Sequence, residues 1–301
     1  MKSKKVIVVA GVAAAVAIAG FCLLGGRMPD RDARVTPEPS RQPAEVSDVL
    51  PTERGALRNG PVERIARIDA NRALQDFLTL KERAERGDPV AQRELSEQYG
   101  RCLPVNYNPH KYLGGVEAIA ALDKDPANAA RYRQAAKDQL DECAVVDGGD
   151  VVPLEARSLW LEQAAKAGDL VAEARVNRGP EMSYRGRQLE HFMDRVIASG
   201  DPLALFEMGQ NLASADVGDV RRYADVAGSE MAFYAWGIAA CDMGLPCDQG
   251  SEIMVSLCLN TTACSSPDFE TWVRERLINA DDAARLDRQV EQVKRLLPGK
   301  G

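Results

Sequence analysis

ERGDPVAQREL, residues 85–95, sets Gly87, Asp88 and Pro89 side by side in a stretch otherwise made of good helix formers. Each breaker has a use at a helix–helix turn. Gly87 can take the left-handed conformation just past a helix end at little steric cost. Asp88 can cap the next helix by accepting its first unsatisfied N–H groups. Pro89 suits the first helical position, where no N–H is required. The stretch therefore reads as one helix stopping and another starting within about two residues.

The same arrangement returns twice. AERGDPVAQREL (84–95) aligns with AKAGDLVAEARV (165–176) and with IASGDPLALFEM (197–208). Gly168 and Gly200 repeat Gly87, Asp169 and Asp201 repeat Asp88, and Pro202 repeats Pro89. Ala91, Ala172 and Ala204 fall in register four residues after each Gly, small enough to let two helix backbones approach closely. The first interval is 81 residues, about two units of 40, and the second is 32, so a helical repeat of 30–45 residues is expected. CDMG, 241–244, is a worn fourth candidate.

Composition agrees with helices. Hydrophobic residues make up 45% of the 301-residue chain but aromatics only 5%, a balance dominated by Ala, Leu and Val. Helices are expected over about 62–86, 89–101, 115–122, 126–145, 153–167, 170–178, 181–199, 202–214, 218–226, 229–243, 251–258, 267–279 and 281–297. Trp160, Trp236 and Trp272 fall on these helices as packing residues, and Leu286, Val290, Val293 and Leu297 form a stripe suited to covering the last hairpin.

The gathered motifs resemble Sel-one-like repeats, short relatives of tetratricopeptide repeats. WLEQAAKAGDLVAEA (160–174) carries the resemblance most strongly, and it extends over roughly residues 70–260. The family's Leu-Gly-x-x-Tyr continuation is absent from most units, although LSEQYG (95–100) and FEMGQNL (206–212) echo it. The resemblance implies an all-α stack of αα-hairpins, a right-handed solenoid, with a scaffolding or adaptor role and no catalytic set. Its concave face is where a protein or peptide partner is expected.

The sequence also sets an expected compartment. MKSKK precedes VIVVAGVAAAVAIAGFCLLGG, residues 6–26, an uncharged run long enough to cross a bilayer as a helix. Lys2, Lys4 and Lys5 place the N-terminus in the cytoplasm and the body outside, in the periplasm of a bacterium. The rival is a cleaved signal peptide, with Ala17-Ile18-Ala19 as its recognition pattern and a soluble periplasmic product. The anchor is favoured because FCLLGG prolongs the apolar run beyond that pattern. Residues 27–61 hold six prolines and no aromatic residue, which suits a disordered tether to a helical domain over 62–301.

Cys102, Cys143, Cys241, Cys247, Cys258 and Cys264 all lie in the exported body, an even count that suggests three disulfides. The last four follow C-x5-C-x10-C-x5-C, wider than usual zinc-ligand spacing and without a nearby His. Spacing leaves two connectivities open: local pairs 241–247 and 258–264, or interlocked pairs 241–258 and 247–264, either with 102–143. The resemblance favours the local pairs, since exported members of the family often carry Cys flanking the helix–helix turn.

The chain carries −7 at pH 7, and beyond residue 26 the balance is 35 basic against 45 acidic residues, a poor match to nucleic-acid phosphates. No G-x-S-x-G, H-E-x-x-H, Walker, G-x-G-x-x-G or C-x-x-C pattern occurs, and nothing calls for a metal or cofactor. His191 sits among charges on a helix as a surface residue. His110 lies in PVNYNPHKYLGG (104–115), expected as a loop with Tyr107 and Tyr112. DGGD, 147–150, is expected as a solvated turn. A protein-interaction scaffold is therefore the expectation. A chaperone or foldase for a secreted client and a cell-envelope hydrolase are the rivals.

Overall fold

In a computed structural model the chain is all-α over the described residues, 61–178 and 184–298. Contacts gather the described residues from Ile65 onward into one unit. The expected anchor, 6–26, and tether, 27–61, lie outside the described residues except for Pro61, where the first helix begins.

The helices are α1 (Pro61–Glu85), α2 (Pro89–Tyr107), α3 (Pro109–Leu122), α4 (Pro126–Cys143), α5 (Leu154–Lys166), α6 (Leu170–Val176), α7 (Arg187–Ser199), α8 (Pro202–Ala213), α9 (Glu230–Asp242), α10 (Glu252–Thr261), α11 (Phe269–Trp272) and α12 (Ala280–Leu296). α2 packs along α5, α5 on α6, α6 on α8, α8 on α9 and α9 on α12. The α3–α4 hairpin leans on α2 and reaches α10. The 81 residues between Gly87 and Gly168 are therefore not two equivalent units in packing order, because α5 meets α2 directly.

Several elements differ from expectation for local reasons. α2 continues to Tyr107, through Pro104 rather than stopping at 101. Burial of Val105, the Cys102–Cys143 disulfide, and Asn106 donating to the carbonyls of Cys143 and Asp150 hold that last turn against the missing proline N–H. Residues 109–115 are helix, not loop: Asn108 accepts from the Lys111 N–H and Pro109 takes the first position of α3. Residues 217–226 form 3₁₀ turns in place of the expected helix over 218–226. The expected helix 267–279 is a single α turn followed by a π turn, Val273–Leu277.

The largest core gathers around α7, α8, α9, α11 and α12. Phe192, Trp236 and Phe269 are fully buried there, and the Trp236 indole donates to the Val226 carbonyl at 2.9 Å. Gly209 and Gly237 allow this closeness: a Cβ on either would lie 2.6 Å from Trp236 or Phe269. Leu286, Val290 and Val293 of α12 bury their stripe on this core. Two smaller clusters serve the amino-terminal half, one around Phe77, Leu95 and Tyr99, the other joining α3 and α4 to Cys258 and Cys264.

Candidate functional site

Three turns of like sequence punctuate the body, and one of them builds the first corner of the site. Gly87, Gly168 and Gly200 have φ of +90°, +97° and +65°. After Gly87, the Asp88 N–H donates to the Arg83 carbonyl at 3.1 Å; after Gly168, the Asp169 N–H donates to the Ala164 carbonyl at 3.0 Å. At Gly200 the Ser199 hydroxyl takes the place of that carbonyl, accepting from the Asp201 N–H. Asp88 accepts from the Ala91 N–H, Asp169 from Ala172, and Asp201 from Leu203 and Ala204. Ala91, Ala172 and Ala204 are completely buried. Gly244 ends α9 with the same backbone pattern, but Leu245 follows it and no cap forms until Ser251.

The aspartates are not equivalent. The second oxygen of Asp88 accepts from the partly exposed Arg83 guanidinium, at 2.6 and 3.0 Å. The cap bond to Ala91, then the Arg83 hydrogen bond, hold the Asp88 carboxyl below the usual carboxylate range. The second oxygen of Asp169 accepts instead from Arg93 Nε at 3.2 Å, in a nearly dry setting where Asp169 is 6% exposed. Asp201 makes only cap bonds.

Arg93 is the first member of a chain of charges that spacing alone did not single out. It pairs with Glu97 at 2.8 Å; Glu97 also pairs with Arg175 of α6. Arg175 reaches Glu207 of α8 at 2.8 Å, and Arg178 pairs with the same carboxylate. Burial pushes the Glu207 carboxyl up, but Arg178 and Arg175 outweigh it and hold it low. α2, α6 and α8 are thus joined through a line of ionised side chains, while Arg195 and Tyr184 satisfy Glu173 nearby. The signal was in the alignment: Arg93, Arg175 and Glu207 fall within the three twelve-residue matches, at positions that a helix buried on both sides would fill with apolar residues.

Beside this line the surface opens into a groove of ≈ 490 Å³. α1 supplies Ala73, Asp76, Phe77 and Leu80 to it, and α2 supplies Glu94, Gln98 and Arg101. Glu142 and Val145, with Leu203 and Glu252, complete its rim. The Gly87–Asp88 turn joins α1 to α2 and so sets one corner. At the other end, Cys102–Cys143 ties α2 to α4, directly behind Arg101 and Glu142, which pair at 3.2 Å. Arg101 also bridges to Glu252 of α10 at 2.5 Å.

The six cysteines of the body pair as 102–143, 241–247 and 258–264. Cys241–Cys247 closes the end of α9, and Cys258–Cys264 closes the end of α10 where it meets α4. Neither of these two borders the groove.

DGGD is no solvated turn: Asp147 accepts from Lys81 at 2.6 Å and from the Tyr99 hydroxyl at 2.8 Å, pinning the loop to α1 and α2. Its carboxylate is therefore already engaged by protein donors. His110 and His191 are exposed and apart from the groove. No family model, no curated protein and no solved structure matches this chain.

Proposed function

We propose that this chain is a membrane-anchored, exported helical-repeat scaffold that holds a protein or peptide partner in the groove between α1 and α2. The observation that carries the reading is the groove itself. It is large enough for several side chains and is lined by apolar and charged groups together, a mixture suited to an extended polypeptide. A hydrolase would need an activated nucleophile or an acid–base pair; among the described residues the groove is lined by no Ser, Thr, Cys, His or Lys, and Glu97, Glu142 and Glu252 face arginines. Three disulfides support an oxidising compartment, and the Lys-led apolar run at 6–26 supports the anchor. The Gly-Asp turns and the α5–α6–α8–α9 packing support a Sel-one-like stack over the middle of the body.

A reporter active only outside the cytoplasm, fused after Gly301, should be active. Envelope extracts should yield partners to the full chain that residues 1–61 alone do not retain. A cell-wall fragment released by the purified protein, with no retained partner, would replace this reading by the hydrolase. A single dominant secreted client would refine it to a chaperone.

A further inference from the structure

Within the groove the charges do not balance. Arg101 is engaged by Glu142 and Glu252, and Arg93 by Glu97 and Asp169. Glu94 meets Arg93 at 3.8 Å, with the Arg83 charge also acting on it from α1. Burial, partly offset by Arg93 and reinforced by the like charge of Glu97, pushes the Glu94 carboxyl up from its ordinary value. Asp76 stands across the groove on α1, only loosely met by Arg72 at 4.0 Å on the solvent side. Gln98 of α2 also lines the groove. It is only 9% exposed; its amide donates to Glu142 at 3.4 Å, and its carbonyl oxygen is buried with no donor. That oxygen is sealed from solvent, so an occupant of the groove does not reach it. Phe77, Leu80 and Leu203 supply apolar surface alongside.

Resting on the groove as the binding face, we propose that its occupant is an extended peptide segment in which an arginine or lysine is flanked by aliphatic residues. The cation faces Asp76 and Glu94, and the aliphatic neighbours lie on Leu80 and Leu203. Two carboxylates whose own arginines stand off at 3.8 and 4.0 Å, in a groove with five acids and two arginines, favour an incoming positive side chain. An acidic segment would instead set like charge beside Asp76 and Glu94.

The test uses the oxidised full-length chain in non-ionic detergent and two fluorescein-labelled hexapeptides. One has the sequence Ala-Leu-Arg-Leu-Arg-Ala; the other replaces each arginine by neutral, nearly isosteric citrulline. Anisotropy should show saturable binding of the arginine peptide, about tenfold or more tighter than its citrulline counterpart. Binding should weaken between roughly 50 and 300 mM salt. Asp76→Asn with Glu94→Gln should lose about tenfold. Both side chains are exposed enough for the fold to survive, which intact disulfides and an unchanged melt would verify. Glu155→Gln with Glu162→Gln, outside the groove, should leave binding unchanged. Leu80→Ala should weaken both peptides alike, through the lost apolar surface. Equal binding of the two peptides, each weakened by Leu80→Ala, would overturn the cationic preference and leave the groove as the binding face. Binding insensitive to every groove substitution would overturn the proposal and the groove together.

Discussion

The two ends of the body are held together by different means. Around α7, α8, α9, α11 and α12 an aromatic core is sealed, with Phe192, Trp236 and Phe269 fully buried and glycines at the closest approaches. Around α1 to α4 the apolar clusters are small, and a disulfide, a pinned Asp147 and buried ion pairs do much of the joining. Apolar packing is non-directional and tends to close every gap, whereas charges and disulfides fix a few points and leave space between them. The groove lies in the second kind of region. A sealed half gives a rigid footing, and the sparsely fastened half keeps exposed polar chemistry with which a partner can be recognised.

The sharpest break in this contrast should come where the ion line crosses between helices. Glu207→Ala leaves Arg175 and Arg178 without their shared carboxylate and should cost about 3–5 kcal/mol, measured by denaturant unfolding. The same group gives the acid limb. Its folded-state carboxyl is held below the ordinary range, so its contribution is complete above about pH 5 and is lost as pH falls through the lowered value. Glu207→Gln should therefore flatten the loss of stability below pH 5.

Next in size are the disulfides. Cys102–Cys143 spans 41 residues and Cys241–Cys247 spans 6. Loop-closure entropy gives about 4 kcal/mol for the first and a little over 2 for the second. Replacing the first pair by serines should therefore lower the melting temperature more. It should also weaken binding in the groove, while the second replacement should not affect binding.

Smaller effects separate the three turns. Asp169→Asn keeps a cap acceptor but strips Arg93 of a buried carboxylate, at a cost of about 1–3 kcal/mol. Gly87→Val, at φ +90° with open space around the Cβ, tests backbone strain alone and should cost about 1–2 kcal/mol. Asp88→Asn loses only the exposed pair with Arg83 and should cost under about 1 kcal/mol. Equal effects of Asp88→Asn and Asp169→Asn would erase the distinction between the exposed and the buried corner.

Local chemistry was readable in the sequence where it is written in neighbouring residues. The all-α class follows from periodic Ala, Leu and Val, and the even cysteine count anticipated three bonds. Pro104 shows the limit in one direction: it argues for a helix end, yet long-range bonds from Asn106 and Cys102 carry α2 past it. His110 shows the other, since Asn108 and Pro109, read there as loop residues, are also a cap and a first helical position. The groove was invisible for a different reason. Its residues come from α1, α2, the end of α4, α8 and α10, so no window of sequence contains it. Arg93 and Glu207 are 114 positions apart and meet only through Glu97 and Arg175.

The measurement that bears most directly on the groove is site-specific photocrosslinking in intact cells. One reactive residue would replace Asp76 in the groove; another would replace Leu159, 53% exposed on α5 and outside it. Both positions carry a sizeable exposed side chain, so accessibility alone does not favour either. The expected result is a discrete adduct with another polypeptide from position 76, weakened by Glu94→Gln, and none from position 159. Adducts from position 159 alone would move the binding face to α5 and contradict the division between a sealed half and a recognising one.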